Sequence, residues 1–195
     1  MLSNILLTPF DKEMRRHGYQ LTRWADDWVV TCRTRAEAEH ALARAGRILE
    51  TLGVTLNREK TRIVRLRSRN GESLRFVGYE FRYAWSRFER DRRYFTVIPS
   101  PKTVERMKAK LRMVINSRRN FVPVSELIVA VNQRLGGWAQ HFSYGHPRAA
   151  CRELNHFVIN RLIRHLKHRS QRPCRPPAGM SWYALVTGPL GLRRI

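Results

Sequence analysis

The chain has 195 residues, of which 43% are hydrophobic, enough for one sizeable domain or two small ones with buried cores. Its 38 lysines and arginines against 15 acidic residues give a formal net charge of +23, which favours a polyanionic partner such as nucleic acid. Its three cysteines lie far apart, which favours neither a disulfide framework nor a zinc site, and no apolar run reaches the roughly 20 residues of a membrane span.

A helix and a hairpin are predicted at the start of the chain. The opening turns of SNILLTPFDKEMRRHG (3–18) are typical of a helix, with Gly18 as its C-terminal stop. Two short runs rich in aromatic and β-branched residues, 19–24 and 28–32, then predict the strands of a β-hairpin. The adjacent acids Asp26 and Asp27 lie between these runs, so we expect both carboxylates at the hairpin tip.

A second helix and further strands complete the first half. Thr34 and Glu37 fit a helix capping box, and apolar residues then repeat at helical spacing from Ala38 to Leu52, until Gly53. Three more strands are predicted at TRIVRL (61–66), LRFVGYEF (74–81) and YFTVIP (94–99). This alternation of helix and strand predicts an α+β fold.

After Pro99 the pattern is helical. Ser100 and Pro101 are typical of an N-cap followed by proline at the first helical position, and an apolar stripe follows. A second helix is predicted from Val124 to a break at Gly136-Gly137, and a third carries an apolar row over 154–166. Residues 98–195 hold 18 lysines and arginines against three acids, a net charge of +15, whereas residues 1–97 have a net charge of +8. We therefore expect the second half to bind the polyanion.

Two interpretations of the adjacent acids follow from the residues alone. Aspartate is common in turns, so Asp26 and Asp27 can simply make a turn. Carboxylates at rigid strand ends are also the hard oxygen ligands that Mg²⁺ prefers, and a two-metal site for joining nucleotides needs such ligands. The composition leaves both interpretations open.

The segments around this pair resemble a known family. RWADDWVV (23–30) resembles the Tyr-Ala-Asp-Asp box of reverse transcriptases, with Trp24 at the tyrosine position. In the same order, LGVTLNREKTRIV (52–64) and LRFVGYEF (74–81) resemble the next motif and the primer-grip hairpin of group II intron reverse transcriptases. SPKTVERMKAKL and LGGWAQHFSYG, in the helical half, are similar to the thumb or maturase-specific region of the same proteins. The resemblance implies a partial reverse-transcriptase palm at 1–98 and a helical thumb/maturase domain at 99–195.

Individual roles are implied by the same resemblance. Asp26 would be the principal ligand of Mg²⁺ and Asp27 a second acid beside it. Lys60 lies at the position proposed to assist the leaving pyrophosphate, as a cation or a proton donor, although it can also pair only with phosphate or solvent. The primer grip is implied at Phe76, Val77, Gly78 and Tyr79. Gly78 there can permit close backbone approach or mark a bulge.

Basic residues of the helical half are the candidates for RNA contact. A surface that neutralises many phosphates binds tightly and with a steep salt dependence, whereas the same residues can also be merely solvated helix faces. Because so few acids compensate them, we favour RNA. The candidates are Lys102, Arg106, Lys110, Arg112, Arg161, Arg164, His165, His168 and Arg169.

The expected function is that of the C-terminal part of a group II intron RNA-directed DNA polymerase/maturase, which binds intron RNA and primer-template and aids splicing and mobility. The family's site takes another aspartate from an earlier strand, so we expect the chain alone to be inactive and a complementing N-terminal half to restore synthesis. A non-catalytic RNA-binding splicing factor with vestigial acids and a general basic nucleic-acid binder are the alternatives. With no signal peptide or membrane span predicted, we expect a bacterial-type cytoplasmic location and no membrane partner.

Overall fold

The architecture is α+β, as predicted. The computed structural model describes residues 2–67, 72–86, 89, 91–170 and 174–195. The chain divides into two compact units, Met1–Phe95 and Thr96–Ile195, whereas the sequence places the boundary after residue 98. Among the described residues, no helix combines the length and apolarity needed to cross a membrane.

Helices and two antiparallel sheets make up the described part of the chain. One sheet has the strand order β1-β2 and the other β3-β4-β5. In chain order the elements are α1 (Leu2–Arg16), β1 (Gln20–Trp24), β2 (Asp27–Thr31), α2 (Arg35–Thr51), β3 (Ser73–Phe76), β4 (Tyr79–Trp85), β5 (Arg93–Pro99), α3 (Pro101–Val114), α4 (Val124–His141), α5 (Arg148–Lys167) and α6 (Trp182–Thr187).

The core of the first unit lies between the two helices and one face of the β1-β2 hairpin. Antiparallel pairing sets Leu21 opposite Val30 and Arg23 opposite Trp28, so these four side chains share a face. Leu21 and Val30 pack with buried residues of both helices, and the ring of Trp28 lies 5.4 Å from that of Phe10. The helices therefore cover one face of the hairpin.

Helix α2 begins at the predicted N-cap, Thr34. The Thr34 hydroxyl accepts a hydrogen bond from the Glu37 amide at 3.1 Å, which satisfies one of the amides that the first turn leaves without a helical partner. The Glu37 carboxylate also reaches back, but it accepts from the amide of Arg33, the residue before the N-cap, at 2.7 Å, whereas a capping box uses the N-cap amide. The start of the helix is thus as predicted, with the second bond displaced by one residue.

The strand predicted at TRIVRL (61–66) is wrong, because these residues form no strand. Ile63 is exposed, and the Arg65 amide donates to the Glu72 carboxylate at 2.6 Å rather than to a neighbouring strand. Alternation of apolar and basic residues indicates a strand only where a sheet face buries the apolar set.

LRFVGYEF (74–81) is a hairpin rather than one strand. Phe76 lies opposite Tyr79, so Val77 and Gly78 alone form the turn, with φ of +49° and +80°. Two positive φ angles are what the commonest two-residue hairpin turns require, and glycine adopts them without steric cost. Gly78 is therefore a turn residue and not a strand bulge. The hairpin form agrees with the primer-grip resemblance.

In the second unit, α3 begins at the predicted cap. The Ser100 hydroxyl accepts a hydrogen bond from the Thr103 amide at 3.4 Å, and Pro101 is the first helical residue. The apolar stripes predicted for α3 and α5 are buried. Their residues are Val104, Met107, Leu111, Val114 and Ile115 in the first case and Leu154, Val158, Leu162 and Leu166 in the second.

The predicted break at Gly136-Gly137 is wrong, because α4 continues to His141. Buried apolar side chains lie on both sides of the glycines: Leu135 before them, and Trp138 and Phe142 after them, with these two rings 4.9 Å apart. Each helical glycine costs about 1 kcal/mol relative to alanine. Burial of two aromatic side chains outweighs that cost and keeps the chain helical.

We expect Gly136→Ala to stabilise the protein by about 0.5–1 kcal/mol, because a methyl group there meets no atom within 4 Å and reduces the freedom of the unfolded chain. Gly145→Ala is the control with the opposite sign. At Gly145, φ is +79° and a Cβ would collide with the Val97 carbonyl oxygen. Urea unfolding followed by tryptophan fluorescence measures both changes. Destabilisation by Gly136→Ala would contradict the continuous helix.

Candidate metal centre and nucleic-acid interface

The two adjacent carboxylates lie where the sequence predicts them, at the tip of the β1-β2 hairpin. Trp24 pairs with Asp27, which leaves Ala25 and Asp26 as the turn. Ala25 has a φ of +55°, a conformation that the tight turn imposes on a residue with a Cβ. Both acids are exposed, and neither has a hydrogen bond or an ion pair with any residue that the structure describes.

Arg23 fixes the turn to helix α1. Its Nε and Nη2 donate to the two oxygens of Asp11, each at 2.7 Å, and its Nη1 donates to the Ala25 carbonyl at 2.6 Å. The Arg23 and Asp11 side chains are only 10% and 20% exposed. Hydrogen bonds to Asp11 raise the pKa of the Arg23 guanidinium above its ordinary value. This pair does not follow from the sequence pattern, because its partners lie 12 positions apart in different elements.

Asp27 points away from the helices. Strand pairing places it on the hairpin face that also carries Trp24, Thr22 and Val29, opposite the face packed on the core. Trp24 is 65% exposed, so this face is open at the hairpin tip. Asp27 is thus accessible to a ligand from the outer side of the hairpin.

The donor set at the tip fits part of a metal centre. Two carboxylates without competing cations offer the oxygen ligands that hard divalent ions prefer. Within the described ranges, however, no group of three or more histidine, cysteine or acidic side chains could hold an ion. Asp11 is linked to this turn through Arg23, but Arg23 already occupies both of its carboxylate oxygens. Asp26 and Asp27 therefore need a further ligand to form a closed site.

Lys60 lies in a turn after α2. Its amide donates to the backbone carbonyl and the side-chain oxygen of Asn57, at 3.2 Å in both cases, and the Glu59 amide donates to the same side-chain oxygen at 3.1 Å. The Lys60 side chain is exposed and has no hydrogen bond or ion pair with the described part of the chain. Its contact with a leaving pyrophosphate stays a prediction.

An aromatic face lies next to the predicted primer grip. Alternation along β4 puts Tyr79, Phe81, Tyr83 and Trp85 on one face, and Phe95 of β5 joins them, with its ring 6.4 Å from Phe81 and 5.6 Å from Tyr83. Guanidinium groups lie against two of these rings, Arg67 at 5.5 Å from Tyr83 and Arg93 at 5.1 Å from Trp85. Aromatic and guanidinium planes of this kind can stack on bases. This face is not among the predicted features, although aromatic residues at every second position over 79–85 are a visible signal for it.

Six of the nine predicted RNA-contact residues are exposed. Three of them, Lys102, Arg106 and Lys110, recur every four residues and so form one stripe along α3. The full exposed set is Lys102, Arg106, Lys110, Arg112, Arg164 and His168. These side chains are available to phosphate groups.

The remaining three predicted RNA-contact residues serve the fold of the second unit. Arg161 Nε donates to the Ile115 carbonyl at 2.8 Å, and Arg169 Nη2 donates to the Val122 carbonyl at 2.6 Å. His165 is only 8% exposed. The two arginine bonds hold the segment between α3 and α4 against α5. The prediction that these three side chains are open to RNA is therefore corrected, because His165 is buried and Arg161 and Arg169 are half-buried.

We expect Arg23→Gln to destabilise the protein by about 2 kcal/mol, because it leaves a mostly buried carboxylate without its cation and a turn carbonyl without its donor. The urea unfolding midpoint measures this change. Arg16→Gln is the control, since Arg16 is 81% exposed and lies 3.9 Å from Glu13, a pair that contributes little. Equal effects of the two substitutions would show that the Asp11 contact does not hold the turn.

We expect the free energy of unfolding to fall as the pH drops from 7.5 to 5. Burial, with the charges of Arg169 and Arg161, lowers the pKa of His165 below its ordinary value of 6.5. Below pH 6.5 the unfolded chain therefore binds a proton that the folded chain takes up only at lower pH. One such group contributes a slope of at most about 1.4 kcal/mol per pH unit.

Urea unfolding at several pH values measures this slope. We expect His165→Gln to reduce it, whereas His168→Gln, an exposed histidine on the same helix, should leave it unchanged. An unchanged slope in His165→Gln would contradict the assignment.

Comparisons with known families match both units of the chain. A family model described as "Reverse transcriptase (RNA-dependent DNA polymerase)" matches residues 1–81, which include the acidic hairpin and the start of β4. A second, described as "Group II intron, maturase-specific domain", matches residues 104–179, within the basic helical unit. Comparison with curated proteins gave no match. Reverse transcriptases generally use divalent metal ions and act on nucleic acid. With these two segments in this order, the chain belongs to the group II intron reverse transcriptase/maturases.

Proposed function

We propose that this chain binds group II intron RNA through its helical unit and supplies two carboxylates to a Mg²⁺ site for RNA-directed DNA synthesis. One observation carries the proposal. Asp26 and Asp27 are exposed and free of competing partners among the described residues, at a turn that Arg23 fixes, in a chain of net charge +23. Other exposed acids without an ion pair among the described residues, such as Asp91 and Glu126, stand alone in the sequence, whereas Asp26 and Asp27 bring two free carboxylates together at one fixed turn.

RNA contact is assigned to the exposed cations of the second unit. Residues 98–195 have a net charge of +15, and the stripe Lys102, Arg106 and Lys110 presents cations along one side of α3. Each neutralised phosphate releases counterions, so binding should weaken steeply with salt. The exposed residues Arg112, Arg164 and His168 extend the same contact set.

At the hairpin, Asp26 and Asp27 would hold Mg²⁺ through their carboxylate oxygens. A completed site of this kind would supply Lewis-acid activation of the attacking hydroxyl and charge neutralisation of the departing phosphates, roles that a two-metal site divides between its ions. The chain's own part is to keep both acids on a rigid turn, since Arg23 restrains the Ala25 carbonyl and β2 carries Asp27 in a strand. Lys60 would meet the leaving pyrophosphate, and the β3-β4 turn with Phe76, Val77, Gly78 and Tyr79 would support the primer end.

A further carboxylate must come from outside the described residues. The described ranges contain no third ligand near the pair, and two adjacent carboxylates leave most positions around an octahedral Mg²⁺ unfilled. We propose that an N-terminal reverse-transcriptase half, in the same or another polypeptide, provides that ligand. The synthesis step then requires both pieces.

Primer extension on an RNA template with Mg²⁺ and deoxynucleotides tests this function. We expect no extension by the 195-residue chain alone, and extension when a polypeptide with the family's N-terminal half is added. Asp26→Asn should abolish that extension and leave RNA binding unchanged. The control Asp91→Asn changes an exposed acid outside the hairpin, where asparagine tolerates the φ of +67°, and should retain extension.

RNA binding by the same samples, measured by filter retention across a salt series, separates the rival functions. Arg106→Ala with Lys110→Ala should reduce the slope of log affinity against log salt by about 1–2. Extension by the chain alone would overturn the incomplete site. Tight RNA binding without extension in the mixture would favour a non-catalytic splicing factor, and loss of RNA binding in Asp26→Asn would show that the hairpin is misassigned.

A further inference from the structure

An open cleft lies in the second unit between α5 and the segment that carries α6. Its volume is about 530 Å³, within the range of small-ligand sites. From this cleft we infer a binding site for one unpaired nucleotide of RNA, an inference that rests on the RNA binding proposed above.

Two arginines and a histidine line the cleft. Arg152 and His156 line it from α5, and Arg194 lines it from the C-terminal segment. None of the described residues that line the cleft is acidic, and the nearest acid in sequence, Glu153, pairs with Lys108 at 2.5 Å. An anionic ligand is therefore favoured, with its phosphate at the two arginines.

Flat apolar surfaces complete the cleft. Trp182 and Tyr183 line one side, while Ile159 and Ile163 line the helix side. The Tyr183 hydroxyl accepts a hydrogen bond from Arg194 Nη1 at 2.8 Å, which holds the ring next to the cation. Because proteins bind unpaired bases by stacking them on aromatic side chains, this wall suits a base, with the phosphate at the arginines.

The cleft is built before any ligand arrives. Asn155, which is 9% exposed, donates to the Ile195 carbonyl at 2.7 Å and accepts from its amide at 3.2 Å. Asn132 holds Gly191 and Arg193 in the same way, at 2.9 Å in each case. These contacts fix the segment on both sides of Arg194. Less ordering is then needed when a ligand binds.

The aromatic wall and the cations of the cleft favour unpaired over paired RNA. A base inside an A-form duplex presents no free face, whereas a bulged base can leave the stack and enter a cleft. Charge argues against an apolar ligand, since two arginines and a histidine would lose hydration without gaining a partner. One extruded nucleotide satisfies both the cations and the aromatic wall.

Two synthetic RNA hairpins test the inference, one fully paired and one with a single bulged 2-aminopurine. For the unchanged protein we expect the bulged hairpin to bind about tenfold more tightly, with quenching of its fluorescence on stacking. Tyr183→Ala and Arg152→Ala should each lose this preference and keep their affinity for the paired hairpin within about twofold. Tyr183→Phe should retain the quenching, because it retains the ring.

Matched controls use Tyr144→Ala, an exposed tyrosine of the same unit, and Arg148→Ala, an exposed arginine earlier on α5. Both should behave as the unchanged protein, and circular dichroism confirms that each variant is folded.

Equal binding of both hairpins without quenching would overturn the cleft and leave the RNA-binding function intact, whereas no binding to either would overturn that function. If adenosine monophosphate abolishes the quenching while the protein shows no preference between the hairpins, the site is one for free nucleotides and the inference fails.

Discussion

The contact of Arg23 with Asp11 and with the Ala25 carbonyl is the constraint on which the acidic hairpin depends. A two-residue turn with a positive φ at Ala25 is strained, and two adjacent carboxylates repel each other across it. One guanidinium, neutralised by a carboxylate of α1, restrains that turn without approaching it from the acidic side. The arrangement keeps a cation close enough to stabilise the backbone while Asp26 and Asp27 stay free for another ligand.

Excess positive charge determines which partners the cations of the second unit have. With three acids for 18 lysines and arginines, most cations cannot form ion pairs, so the structure satisfies some of them with backbone carbonyls. Arg161 and Arg169 do this at Ile115 and Val122, and Lys108 pairs with two of the three acids. The cations left over are exposed on α3, α5 and the C-terminal segment, where phosphate groups can replace the missing acids.

Local signals were sufficient for much of the fold. The caps at Thr34 and Ser100 and the apolar stripes of α3 and α5 come from residues close in sequence, and the structure confirms them. The errors depend on distant partners: no sheet covers Ile63, and the burial of Trp138 carries α4 past two glycines. For the site, the sequence places the acids at the hairpin tip. The Arg23 contact and the cleft at Arg152 and Arg194 could not be predicted from the sequence, since each joins residues of different elements that no local pattern connects.

Some acidic side chains of this basic chain are paired with cations, and others are left free. In a field as positive as this one, several acids are paired with a nearby cation, as Asp11 is with Arg23 and Glu153 with Lys108. Asp27 is not paired in this way because the strand register turns Arg23 to the opposite face of the hairpin, where it bonds α1, and Asp26 lies in the turn without a partner among the described residues. Strand alternation, rather than distance along the chain, therefore separates the anchoring cation from Asp27 and, with Asp26 beside it, leaves a localised negative charge that a divalent ion can bind.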